Sequence, residues 1–237
     1  MDTNPTNEIH AMPGLLGALN RIQSFIRHLS APAEFCLILF VGFGPFIFAQ
    51  LWALTNLPPA PMELRNSGLV EWLILEPLLF VPVLWIGKLR GWSLATFGAR
   101  ISWKGTGAGI LLFVLAAVTE IAVSFCAKLL HPAQPGFSVG ELAVPLVLLL
   151  SFINPIFEET LENAYFIRSL QRFGMWPAVL ASALFRGLFH FQFGINAVVS
   201  VSAIGVIFGL AYWRGRQLWP LVLAHSLLDI VALLHRH

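Results

Sequence analysis

Apolar residues run through this chain in blocks about as long as a bilayer crossing, and polar residues mark where each block ends. Runs at about 35–55, 69–87, 107–130, 142–170, 176–191, 197–213 and 219–234 read as seven hydrophobic helices. The fifth and sixth are short, so a count of six to eight spans fits the pattern. Ahead of them, Leu15, Leu19, Ile22 and Ile26 recur at helical spacing between Pro13 and Leu29, with Arg21, Arg27 and His28 elsewhere. That is the pattern of an amphipathic helix lying in the membrane interface, or of a surface helix packed on the bundle. Residues 1–8 are polar and read as a disordered tail. The expected fold class is all-α, a polytopic transmembrane helix bundle. Residues 1–33 form its cytoplasmic tail and interfacial helix, and residues 34–237 its transmembrane domain.

Composition sharpens this picture. Of the 237 residues, 57% are hydrophobic and 11% charged, and the mean hydropathy is +0.78. Soluble domains carry about 25% charged residues, so that class is excluded. A net charge of +2, spread along the chain, argues against a nucleic-acid partner and leaves the lipid bilayer as the environment. Cys36 and Cys126 both fall inside apolar runs, which disfavours a disulfide framework or a zinc–thiolate site. The first 33 residues show no cleavable signal pattern.

The basic residues set an orientation. With seven spans, Arg21, Arg27, Lys88, Arg90, Arg100, Lys104, Arg168, Arg172, Arg214 and Arg216 fall on one side, and only Arg65, Lys128 and Arg236 on the other. The positive-inside rule then predicts a cytoplasmic N-terminus and an outward C-terminus. The expected location is a prokaryotic cytoplasmic membrane, with the chain integral and multi-pass.

The candidate chemistry lies where polar residues interrupt the apolar blocks. Glu158, Glu159 and Glu162 fall within about one helical turn in the fourth block. His190 closes the fifth, and His225 with Asp229 sits in the last. Ionisable groups inside a membrane cost several kcal/mol unless paired or hydrated, so they mark function by default. At about 1.5 Å per residue, Glu158, Glu159 and His190 lie roughly 20 Å from the ends of their helices, and His225 and Asp229 roughly 12 to 18 Å. All of them can therefore meet at one depth. Residues four apart share a helix face, which aligns His225 with Asp229, Glu159 with Asn163 and Arg186 with His190. Glu158 and Glu159 point about 100° apart, so one of them is expected to face the reaction centre directly.

A carboxylate beside a histidine can activate water, and a second histidine can hydrogen-bond the oxyanion that forms on a carbonyl. The same residues suit a divalent metal such as zinc, with Glu158, His190, His225 and Asp229 as candidate ligands. They also suit a proton or ion pathway, or a set of satisfied structural groups. Glu162 is read as structural, facing lipid headgroups or Arg172. Glu76 and Glu120 are intramembrane acids expected to find partners within the bundle, and Glu71 an interfacial one. His131, His235 and His237, near span ends, are expected to be solvated.

Three motifs carry a family resemblance: EETLEN from Glu158 to Asn163, RGLFH from Arg186 to His190, and HSLLD from His225 to Asp229. A Gly-rich span, IGVIFGLAYWRGRQLWP, leads into the last of them. Over residues 140–234 the chain resembles the CAAX protease and bacteriocin-processing family of intramembrane endopeptidases, also called the ABI family. The family pattern is Glu-Glu-x-x-x-Arg, then Phe-x-x-x-His, then His-x-x-x-Asn or Asp. The resemblance implies a membrane-associated protein or peptide substrate, with Glu158 and His190 activating water, His225 and Asp229 stabilising the oxyanion, and Glu159 orienting the site. Both metalloprotease and metal-free glutamate-type mechanisms are described for the family. Two positions depart from its pattern: Asn163 stands where the motif has arginine, and Arg186 where it has phenylalanine. An arginine lost from the acidic helix and gained on the histidine helix would restore one charge pairing from the opposite side; the other reading puts Arg186 near the interface. The alternatives to a protease are a catalytically inactive immunity or scaffolding protein of the same fold and a proton-coupled transporter.

Overall fold

The apolar blocks fold into long helices. The computed structural model describes residues 13–56, 63–130 and 138–234. The expectations for the tail before Pro13, for His131, His235 and His237, and for Arg236 concern positions outside those residues, and the side chain of Lys128 is likewise not described.

The first helix, α1 (Pro13–Arg27), buries Ile26 against the core and exposes Leu16, Leu19, Ile22 and Phe25. The expected spans follow as α2 (Ala31–Asn56), α3 (Asn66–Leu89), α4 (Trp103–Leu130), α5 (Val144–Glu158), α6 (Phe166–Leu170), α7 (Met175–Phe189), α8 (Ile195–Gly215) and α9 (Trp219–Leu234). Among the described residues, five of the apolar helical stretches are long enough to cross a membrane, α5 counting together with its continuation to Phe173. The stretches α7 and α9 are apolar but only 15 and 16 residues long. At about 1.5 Å per residue they run about 22–24 Å, short of a hydrocarbon core of about 30 Å. The all-α polytopic bundle is thus what the sequence predicts. One feature outside that prediction is a two-residue parallel pairing, Glu63–Leu64 with Ser138–Val139, which ties the α2–α3 connection to the α4–α5 connection.

Large apolar residues along the helices, such as Phe40, Ile74, Ile121 and Leu184, are exposed and face the lipid. In lipid, helix association depends on packing and small residues more than on hydrophobic burial. The α7–α8 contact shows this: Gly187 lies so close to Val198 and Ser202 of α8 that no Cβ would fit. Phe43, Phe157 and Phe189 fill the centre, with Phe43–Phe157 centroids 5.5 Å apart and Phe43–Phe189 4.9 Å apart. The helices α5 and α9 pack together, and α3 packs on α5. The acidic stretch therefore sits inside the bundle.

Candidate active site

Between α5 and α6 the backbone widens. Glu159–Tyr165 form a π-helical segment, and every residue of it is buried. Such i→i+5 turns are rare and occur mostly at functional sites. Pro155, one turn earlier, has no N–H to give to the α-helical ladder.

This segment presents its acids to one cation. Arg186, on α7 and 3% exposed, places Nη1 2.6 Å from Glu159 Oε1 and Nη2 3.5 Å from Glu158 Oε2, with Nε 3.4 Å from Glu162 Oε2. Two expectations are corrected here. Glu162 faces neither lipid nor Arg172; it is fully buried against Arg186. Glu158 and Glu159 both reach the centre, because long side chains on a widened turn converge where an ideal α-helix would separate them. The interfacial reading of Arg186 is also overturned by its burial. Asn163 Nδ2 donates to Glu159 Oε2 at 2.6 Å, so the residue that replaces the motif arginine binds the carboxylate that Arg186 also holds.

His225 joins from α9. Its Nδ1 lies 2.8 Å from Glu159 Oε1 and 2.9 Å from Arg186 Nη2. A carboxylate only accepts and a guanidinium only donates, so Nδ1 cannot bond both at once. With a proton on Nδ1 it donates to Glu159, and Arg186 Nη2 is then a close neighbour and not a hydrogen-bond partner. The other ring nitrogen, Nε2, then faces Asp229 Oδ1 at 3.4 Å and Glu158 Oε2 at 3.9 Å. His190 caps α7, and its Nδ1–H donates to the Arg186 carbonyl at 2.8 Å, which leaves Nε2 free to accept or pass a proton. The charges of His190 and Glu158 act on one another. Both His190 and Asp229 are half-buried and form the accessible side of the cluster.

Two further residues belong to this constellation. Asn154 Nδ2 donates to Glu158 Oε1 at 3.0 Å and to Glu76 Oε1 at 2.9 Å, bridging α5 and α3. Asn154 stands four residues before Glu158, a spacing that could have flagged it. Glu76 finds the partner expected of it. Glu120 lies apart, accepting from Ser124 and from Ser200 on α8. Glu71 is exposed at the start of α3.

Among the described residues, no three His, Cys, Asp or Glu side chains are gathered as a metal-ligand set. The cation within reach of Glu158, Glu159 and Glu162 is the Arg186 guanidinium.

The segment carrying all the motif residues also matches a known family. Residues 140–231 fit the model of the Rce1-like family, described as type II CAAX prenyl endopeptidase Rce1-like. Over this stretch the chain is similar to that family. No curated protein and no solved structure matches the chain. The Rce1-like match bears out the resemblance read from the three motifs, supports a protease, and implies a peptide or protein substrate in the membrane.

Proposed function

We propose that the chain is an intramembrane endopeptidase that hydrolyses a peptide bond of a membrane-associated protein or peptide by glutamate-type water activation. The observation that carries this reading is the unequal use of the two glutamates. Glu159 is held by Arg186, His225 and Asn163, whereas Glu158 has Oε1 fixed by Asn154 and Oε2 buried without a hydrogen-bond partner. Glu158 Oε2 is the acceptor left for a water.

In this reading Glu158, beside His190, takes a proton from water as its oxygen attacks the scissile carbonyl carbon. The carbonyl π electrons move to oxygen, and a proton on His225 Nε2 hydrogen-bonds that oxyanion. Asp229, 3.4 Å from Nε2, orients the imidazole and cannot itself donate when ionised. The oxyanion then re-forms the C=O bond as the C–N bond breaks, and the amine leaves with the proton held by Glu158. The new carboxylic acid ionises, its proton passing to the released amine. Arg186 keeps three carboxylates together in a medium where each alone would be expelled.

The test compares cells carrying the wild type or Glu158→Gln at equal abundance, with protein termini of the membrane fraction mapped by mass spectrometry. Termini that vanish in the variant name the substrate, and a chelator leaves their formation intact in wild-type membranes. Identical termini in both strains, with folded protein, would move the chain to a non-catalytic immunity or scaffolding role.

A further inference from the structure

The basic face carries a second polar site with the opposite character. Arg168, on α6, and Arg216, in the α8–α9 connection, are electrostatic neighbours. Arg168 Nε and Arg216 Nη1 are both buried and have no hydrogen-bond partner, and neither arginine has a carboxylate partner among the described residues. Aromatic rings hold them instead: Arg168 Cζ is 5.8 Å from the Trp92 ring centroid, and Arg216 Cζ is 4.7 Å from that of Trp213. Burial, and to a lesser degree the Arg168 guanidinium, holds Arg216 below the usual arginine range. Tyr212 lies between them, bonded by Arg168 and with its ring centroid 5.9 Å from Arg216 Cζ, but it is neutral. Two like charges that each keep one unpartnered donor are short of an anion, and a guanidinium pair matches phosphate oxygens.

The backbone is strained to make this arrangement. Arg216 adopts φ 49°, the left-handed region, although Gly215 beside it is the residue suited to that conformation. The connection is locked by Leu218 N–H donating to the Gly98 carbonyl at 3.2 Å, and by a contact so close that Gly98 has no room for a Cβ beside the Arg216 carbonyl.

An apolar cavity of about 290 Å³ lies on the other side of Trp92, lined by neither arginine. Trp92 is common to both, since it lines the cavity and carries Arg168. Phe97, stacked on Trp92, lines it too, and Lys88 stands on its wall. Thr160 of the π-helical segment also lines it, with a buried hydroxyl that has no partner. An anion site joined to an apolar slot fits one amphipathic occupant better than it fits a free ion.

We propose that this face binds a phospholipid of the surrounding leaflet, its phosphate between Arg168 and Arg216 and one acyl chain in the cavity beside Trp92 and Phe97. The occupied cavity would press on the segment that carries Glu159 and Glu162, so the lipid is a ligand of the folded site and not only its solvent.

The test is native mass spectrometry of the full chain released from bilayers of phosphatidylglycerol and diacylglycerol. The wild type is expected to retain one phosphatidylglycerol, preferred about tenfold over diacylglycerol, as two charge-assisted contacts allow. Arg216→Gly removes the guanidinium while relieving the backbone, so it is expected to lose that preference and melt no lower than wild type. Arg168→Gln is expected to lose it as well, and Arg214→Gln, exposed on the same face, to keep it. Equal retention by Arg216→Gly and wild type would overturn the proposal, as would equal loss in Arg214→Gln. Inorganic phosphate raising the melting temperature as much as phosphatidylglycerol does would also overturn it, because the acyl chain would then contribute nothing.

Discussion

Two carboxylate clusters are buried in this bundle, and they are built on opposite terms. At the basic face, Glu34 meets one arginine and is fully satisfied. Its Oε2 accepts from Arg90 Nε at 2.7 Å, and its Oε1 accepts from Trp92 Nε1 at 2.8 Å and from the Tyr165 hydroxyl at 3.3 Å. Arg90 spends another donor on the Arg27 carbonyl, which fastens the end of α1. At the centre, three glutamates share Arg186, and Glu158 Oε2, both oxygens of Glu162 and Asn163 Oδ1 are left without hydrogen bonds. Unmade hydrogen bonds in a buried site cost about 1–3 kcal/mol each, and a bundle whose only aim was stability would not keep them. The satisfied cluster is a clamp. The unsatisfied one is poised for something to arrive.

Breaking the central cluster should do the most damage. Arg186→Phe leaves three buried carboxylates without their cation and is expected to cost about 3–5 kcal/mol of stability along with activity. Thermal unfolding in detergent reads the first, and formation of wild-type termini the second. Adding Asn163→Arg should restore both in part, since it returns a guanidinium to the residue that already bonds Glu159. A double variant no better than Arg186→Phe alone would sink the idea that the arginine changed helices.

The clamp should behave differently. Glu34→Gln weakens charge-assisted bonds without touching the central acids, so a loss of about 1–3 kcal/mol is expected with turnover per folded molecule unchanged. An equal fall in turnover would join the two clusters and erase the contrast drawn between them. The smallest effect belongs to Asn154→Ala. It frees Glu158 Oε1 and is expected to slow cleavage by about tenfold, the low end for one hydrogen bond to a charged group, with little change in melting temperature. A slower rate at an unchanged melting temperature separates positioning from general disturbance.

Much of this was legible in the sequence, for physical reasons that differ by residue. Helix spans follow from hydropathy, because a bilayer leaves the backbone few alternatives. The meeting of Glu158, Glu159, His190, His225 and Asp229 at one depth was suggested by helix length and four-residue spacing. Glu162 was not legible as a site neighbour: its inward aim depends on the π-helical turn, which no local propensity announces. Asn154 was legible only through its four-residue spacing from Glu158; its bond to Glu76 on α3, 78 residues away in the chain, was not. The pairing of Arg186 with the acidic helix was legible only through the exchange of motif positions with Asn163, since a lone arginine in an apolar run also reads as an interface residue until α5 is packed beside it.

The central claim is that Glu158 directs water onto a peptide bond. It is tested most directly by incubating purified protein in bilayers with membrane proteins from cells that lack it, in water enriched in oxygen-18. Wild type is predicted to create new C-terminal carboxylates carrying one heavy oxygen, and Glu158→Gln to create none. Labelled termini that form equally with both proteins, or with neither, would contradict the account.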